Sequence, residues 1–387
     1  MISADKHRHP ELAKPLMGKF GRNEWAILGT NCSSIRDLAG ELVRVLSPSY
    51  ACAYADTSHH AGEFPEGMTG YGAQCEYTDL LHSRQLVFRS AFGIFQQRSV
   101  FSQADVVFVN GNHHEAARQI IVVDPVKEAS LLKRSVQLTN PELIILTEGV
   151  DAPFPWLSKL LSGKQISVLQ QNDISGIEAV VRSSIERNSP RLKGLVLAGG
   201  RSSRMGADKG AISWHGVPQR EYAAGLLSEF CEEVYLSCRP NQASDMATYP
   251  VITDTFTDLG PYGAILSAFR HDPDAAWLVM ACDLPLFDRE AVSELVGARS
   301  VKSAATALRL DSASFPEPLV AIWEPKSYPV LLSFLAQGVS CPRKVLINTD
   351  VLLKNASRPE TLSNINNRED AEEIRARYPG LFSSDKR

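Results

Sequence analysis

The stretch LVLAGGRSSRMGADKG, residues 195–210, sets an apolar run against two glycines, then small and basic residues, then an Asp-Lys pair. Glycine lacks a Cβ, so the backbone there can approach a ligand and aim successive N–H groups at it. Such concave N–H arrays bind anions, phosphates above all. Arg201, Arg204 and Lys209 add charge that can offset a triphosphate. The spacing fits neither the GxGxxG dinucleotide fingerprint nor the GxxxxGK loop that ends in Ser or Thr. The run therefore reads as a strand leading into a phosphate-facing turn of another kind.

Working outward, short apolar runs alternate with stretches of helical spacing. WAILGT (25–30), YACAYAD (50–56), ADVVFVNG (104–111), QIIVVD (119–124), ELIILTEG (142–149) and QISVLQQ (165–171) read as buried strands. Residues 34–46 and 174–186 carry helical periodicity. The charged, proline-containing ERNSPRLK (186–193) reads as a linker, after which GLVLAGG, VYLSC (234–238), PVITDT (250–255), AAWLVMACD (275–283) and SAATALRL (303–310) form a second series. Strands alternating with helices predict α/β architecture: two doubly wound, mainly parallel-sheet domains, spanning 1–188 and 189–387. A chain of 387 residues is also too long for one ordinary core.

Composition narrows the function. With 40 basic and 44 acidic residues the net charge is −4, which disfavours nucleic acid and anionic membrane as partners. The seven cysteines form no CxxC, which argues against a disulfide framework or a cysteine zinc site and for a reducing compartment. The polar opening MISADKHRHPELAKP lacks the apolar core of a signal peptide, and no apolar run approaches a membrane span. These features predict a cytoplasmic protein.

The full string LAGGxSxRMGxDK resembles the signature of nucleotidyltransferases that activate small phosphorylated substrates, and among them the molybdenum cofactor guanylyltransferase family. Four further segments follow in that family's order: ITDTFTDLGPYGAILSA (252–268), VMACDLPLF (279–287), EPLVAIWEP (317–325) and SNINNREDAEEI (363–374). The resemblance covers residues 192–377. It implies a Rossmann-like, nucleotide-diphospho-sugar transferase-like fold for the second domain. The implied reaction is Mg²⁺-dependent transfer of GMP from GTP to the terminal phosphate of molybdopterin or its molybdenum form.

By the same resemblance, Asp283 would hold Mg²⁺, Lys209 would contact the phosphates with Arg204 beside it, and Asp208 would orient the loop. Leu197, Ala198, Gly199 and Gly200 would line the guanine pocket. Asp254 and Gly260 would stand at the nucleotide, and Asn364 and Asn366 near the pterin. Ser237 takes a position where some members carry asparagine. A phosphate nucleophile is already ionised at neutral pH, so no general base is expected. Two other readings stay open: a transferase using CTP or another phosphorylated substrate, although related cytidylyltransferases tend to read LAAG, and a non-catalytic cofactor-binding carrier. Other molybdenum cofactor biosynthesis proteins and recipient molybdoenzymes are the implied partners.

In the first domain, WAILGTNCSSIRDLAGELV (25–43) has the strand, loop and helix order of a P-loop. Counting from Gly29, however, Ser34, Ile35 and Arg36 stand where Gly-Lys-Ser/Thr belongs. ADVVFVNGNHHEAARQIIVVD (104–124) resembles a region of the molybdopterin-guanine dinucleotide adapter family. The first domain is therefore expected to be P-loop NTPase-like but degenerate, with structural or docking service ahead of weak nucleotide or pterin binding. The adjacent His113 and His114 are read as loop residues whose side chains diverge, and His59 and His60 likewise. Cys32 falls at an expected helix N-terminus and is read as structural.

Overall fold

The computed structural model describes residues 12–58, 67–199, 209–239, 242, 248–311 and 315–379, with Lys209 described by its backbone alone. Gly200, Arg201, Arg204, Asp208, the Lys209 side chain, His59 and His60 thus lie outside the described residues. The chain divides into two compact units, Met17–Asn188 and Ser189–Arg387, with residues 12–16 grouped with the latter. There the Leu16 N–H donates to the Asp274 carboxylate at 2.9 Å.

The first unit contains β1 (Glu24–Leu28), β2 (Cys52–Ala55), β3 (Cys75–Leu80), β4 (Ser83–Phe88), β5 (Val106–Asn110), β6 (Arg118–Val123), β7 (Pro141–Leu146) and β8 (Ser167–Gln170). Six of these form one parallel sheet in the order β2-β5-β1-β6-β7-β8. Every residue of β1 and β5 is buried, as a parallel strand covered on both faces requires. The helix Cys32–Leu46 turns Ile35, Leu38, Ala39, Leu42 and Leu46 into the core. Glu24 is fully buried in β1, yet its carboxylate accepts backbone N–H bonds from Lys19, Phe20, Gly21 and Ala117. That satisfies a charge that burial would otherwise penalise.

The antiparallel hairpin β3–β4 stands apart from this sheet and has no counterpart in the sequence reading. Most of its residues are exposed. Without a buried face it carries no apolar run from which to recognise it.

The second unit contains β9 (Leu192–Leu197), β10 (Val234–Cys238), β11 (Val251–Thr253), β12 (Ala276–Ala281), β13 (Ala305–Arg309), β14 (Val320–Trp323) and β15 (Val351–Asn355). The sheet order is β11-β10-β9-β12-β14-β13-β15. All neighbouring pairs are parallel except those of β14, which runs antiparallel to both β12 and β13. One face packs Leu227, Leu236, Leu278, Met280 and Ile322 together, and the other packs Leu195, Tyr262, Phe269, Trp277 and Trp323. This is the mixed α/β, mainly parallel architecture expected. It brings the ends of β9, β10, β11 and β12 to one rim, where open α/β sheets bind ligands.

Candidate active site

The rim begins at the glycine turn. In register, Leu197 lies between Ser237 of β10 and Ala281 of β12. The segments that leave these strands are therefore neighbours, one strand spacing apart, about 4.8 Å. The Ala198 N–H donates to the Ser237 carbonyl at 3.0 Å. A Cβ on Gly199 would stand 2.9 Å from Cys238 Cα and 3.2 Å from the Arg239 nitrogen. The glycine is thus required by the approach of β10, quite apart from any ligand.

Ser237 is buried, and its hydroxyl donates to Asp254 Oδ1 at 2.9 Å. The Asp254 N–H in turn donates to the Cys238 carbonyl at 3.0 Å. Burial raises the Asp254 carboxyl above the usual carboxylate range, against the opposing Ser237 hydroxyl and Arg239 charge. The following turn rests on the helix Pro261–His271, where Ser267 Oγ accepts the Thr255 N–H at 2.9 Å and donates to the Gly263 carbonyl. Gly260 caps this helix at its N-terminus and is exposed.

Asp283 follows β12 and is half-buried. Its carbonyl accepts the Ile365 N–H at 2.8 Å, which anchors the loop bearing Asn364 and Asn366. The structure also brings in Glu317, which the sequence reading quoted without singling out. Because β14 is antiparallel, the residues preceding it arrive at the rim where β12 ends, and the Ala281 N–H donates to the Leu319 carbonyl. The Glu317 carboxylate accepts from the Leu319 N–H at 3.2 Å, from Arg343 Nη2 at 3.4 Å and from the Asn364 side chain. Burial raises its carboxyl above the ordinary range. The Leu319 N–H and Arg343 oppose that shift, the Asp283 charge adds to it, and the Asn364 bond opposes it.

Three contacts brace this corner. His215, held below its usual pKa by burial against the opposing Pro285 bond, donates from Nε2 to the Pro285 carbonyl at 2.9 Å. Gln219 donates to the Leu284 carbonyl. Arg358 grips both oxygens of Asp288. Asn366 is tied through its backbone N–H to Asp370 Oδ2 at 2.7 Å, while the actual helix cap is Asn367.

Two groups of residues thus share one rim: Ala198, Gly199, Ser237 and Asp254 on one side, Asp283, Glu317, Arg343 and Asn364 on the other. The carboxylate and amide oxygens of the second group suit a hard divalent cation, which needs few protein ligands where phosphate and water complete its shell. Among the described residues no cluster of three His, Cys, Asp or Glu forms a self-sufficient metal site.

Residues 194–351 match the family model described as "MobA-like NTP transferase domain". Together with the rim, this makes the chain an enzyme of the nucleotidyltransferase class. A Pseudomonas putida protein named molybdenum cofactor guanylyltransferase is 31% identical over 179 residues, which cover 45% of this chain and 93% of that one. The chain belongs to this molybdenum cofactor guanylyltransferase family. A Synechocystis protein named molybdenum cofactor biosynthesis bifunctional protein is 34% identical over 185 residues, and the match spans 53% of its length and 47% of this chain. A solved Archaeoglobus fulgidus structure, entitled molybdopterin-guanine dinucleotide biosynthesis protein A, is 25% identical with a TM-score of 0.41, covering 48% of this chain and 99% of that one.

Proposed function

We propose that the second unit transfers GMP from GTP to the terminal phosphate of molybdopterin, or of its molybdenum form, giving the guanine dinucleotide and pyrophosphate. The observation that carries this reading is the carboxylate–amide group of Asp283, Glu317 and Asn364, set one strand away from the Gly199 turn. Leu197, Ala198, Gly199 and Gly200 line the guanine side, and Asp254, held by Ser237, receives the nucleotide with Gly260 nearby. Asn364 and Asn366 face the pterin side. Asp283 would hold Mg²⁺, with Glu317 and Asn364 as neighbouring oxygen donors. When bound there, Mg²⁺ supplies charge that offsets the repulsion between two phosphates.

The acceptor phosphate oxygen bonds to the α-phosphorus of GTP as the bond to the β-phosphate oxygen breaks. The acceptor is already ionised, so the chain's own task is to hold two anions in line and to stabilise the charge that develops. The backbone N–H groups of the turn, Lys209 and Arg204 perform that task. The first unit serves as a P-loop-like docking domain, presenting the chain to other cofactor-synthesis proteins or recipient molybdoenzymes. The working location is the cytoplasm; no described helix is long and apolar enough to cross a membrane.

The test supplies the full chain with molybdopterin, Mg²⁺ and each nucleoside triphosphate in turn, reading pyrophosphate and the dinucleotide product. Turnover with GTP is the expected outcome. Turnover with CTP alone would overturn the base assignment, and none with any nucleotide would leave a cofactor-binding carrier.

A further inference from the structure

The helix Cys32–Leu46 of the first unit begins at a thiol with company. Asn31 caps this helix, its side chain accepting the Ser34 N–H at 2.9 Å and the Ser33 hydroxyl at 2.5 Å. One of the N–H groups at this helix start is therefore already satisfied from within. Beside this cap the exposed Cys32 Sγ stands 3.3 Å from His113 Nε2 and 3.6 Å from Asn112 Nδ2. The same His113 nitrogen lies 3.9 Å from Asp56 Oδ1.

Asp56 is equipped to remain a carboxylate. Burial alone would raise its carboxyl, but the Tyr54 hydroxyl, the Thr57 N–H and Arg36 outweigh that and hold it below its ordinary value. A proton arriving on His113 therefore meets a negative charge, shared with Arg36 at 3.4 Å. The sequence places His113 and His114 side by side, and the fold separates them: His114 turns its Nε2 to the Thr57 hydroxyl at 3.1 Å. Asn112 is fixed in turn by donating to the Thr30 carbonyl at 3.0 Å. His113 and His114 also line a cavity of about 340 Å³, together with Lys19, Gln97, Asn112 and Gln137.

We propose that Cys32, His113 and Asp56 form a thiol-exchange site that takes small disulfides. A thiol within hydrogen-bond reach of an imidazole is the pairing that activates a cysteine nucleophile, and the Asp56 charge 3.9 Å from the same nitrogen favours the imidazolium that takes the proton. The Cys32 proton passes to His113 Nε2 and the sulfur attacks one sulfur of the disulfide. One S–S bond forms and one breaks, and the departing thiolate takes the proton back from His113. Cys32 is thereby oxidised to a mixed disulfide and one half of the incoming disulfide is reduced to a thiol, so no further reagent is needed.

The experiment reacts the full chain with limiting 5,5′-dithiobis(2-nitrobenzoate), then separately with oxidised glutathione, and assigns the modified cysteines by peptide mapping. Cys75 and Cys341 are also exposed and serve as internal references. Cys32 should react at least about tenfold faster than either, since activated thiols differ from ordinary ones by such factors or more. In His113→Gln, Cys32 should slow to the reference rate while Cys75 and Cys341 keep theirs. Equal rates at Cys32 and the two references in the unaltered chain would overturn the proposal without any variant. So would an unchanged Cys32 rate in His113→Gln.

Discussion

Each unit carries a strand that runs into a glycine turn, and the two turns have opposite fates. In the first, Gly29 sits at φ 102°, and a Cβ there would stand 2.2 Å from the Val122 carbonyl oxygen. The residues after it close on themselves: Thr30 donates to Asp124, Asn31 caps its own helix, and Ile35, at the lysine position of a P-loop, is fully buried. In the second, Gly199 is required by the approach of Cys238 and Arg239, and the turn leaves β9 beside the segment carrying Asp283. A glycine turn is therefore only permission. Whether it becomes an anion site depends on the capping residue that follows and on what the neighbouring strand delivers.

The sharpest way to break this comparison is Asp283→Asn. Pyrophosphate release should fall by at least about a hundredfold, the scale of losing a charge placed for the transition state. Thermal unfolding should stay close to the unaltered chain. Near-normal release would remove Asp283 from the site and leave the two turns equivalent.

The next effect comes from the glycines themselves. Gly29→Ala should cost about 1–3 kcal/mol of stability, since it forces a positive φ on alanine as well as a clash. Its specific activity, measured on protein still folded, should be unchanged. Gly199→Ala should cost a comparable amount through crowding alone, and here activity should fall with it. Denaturant unfolding alongside a pyrophosphate assay separates the two, and an equal loss of activity in both variants would contradict the contrast.

The smallest and most diagnostic effect concerns Glu317. Its carboxyl is raised in the folded chain, so between its ordinary value of 4.5 and the folded one the unfolded chain holds fewer protons. Stability is then greatest below that window and declines as pH rises through it. Glu317→Gln should raise the melting temperature at pH 8, lose that advantage near pH 4, and lower turnover at both. A melting difference independent of pH would mean that Glu317 carries no such cost.

Much of this was legible in the sequence. Apolar runs mark the inner strands because parallel sheets bury both faces, and the LAGG string and Asp283 carry family-specific spacing. Glu317 and Arg343 were not legible as site residues. Their place at the rim arises from the reversal of β14 and from a helix, Pro342–Ile347, that meets Glu317 across 26 positions. Local periodicity contains no trace of either. Ser237 was legible as a position but not as a role: only the fold shows its hydroxyl committed to Asp254.

The reversed strand has a further consequence. In a wholly parallel sheet each strand offers a rim one outgoing segment. The antiparallel β14 offers an incoming one, and Glu317 travels on it. Residues 315–319 thus reach the rim from the opposite direction to the segments leaving β9, β10, β11 and β12, and they bring Glu317 beside Asp283. Under the proposed function, one inverted strand thus lets the rim draw a carboxylate from a chain segment independent of those that follow the parallel strands.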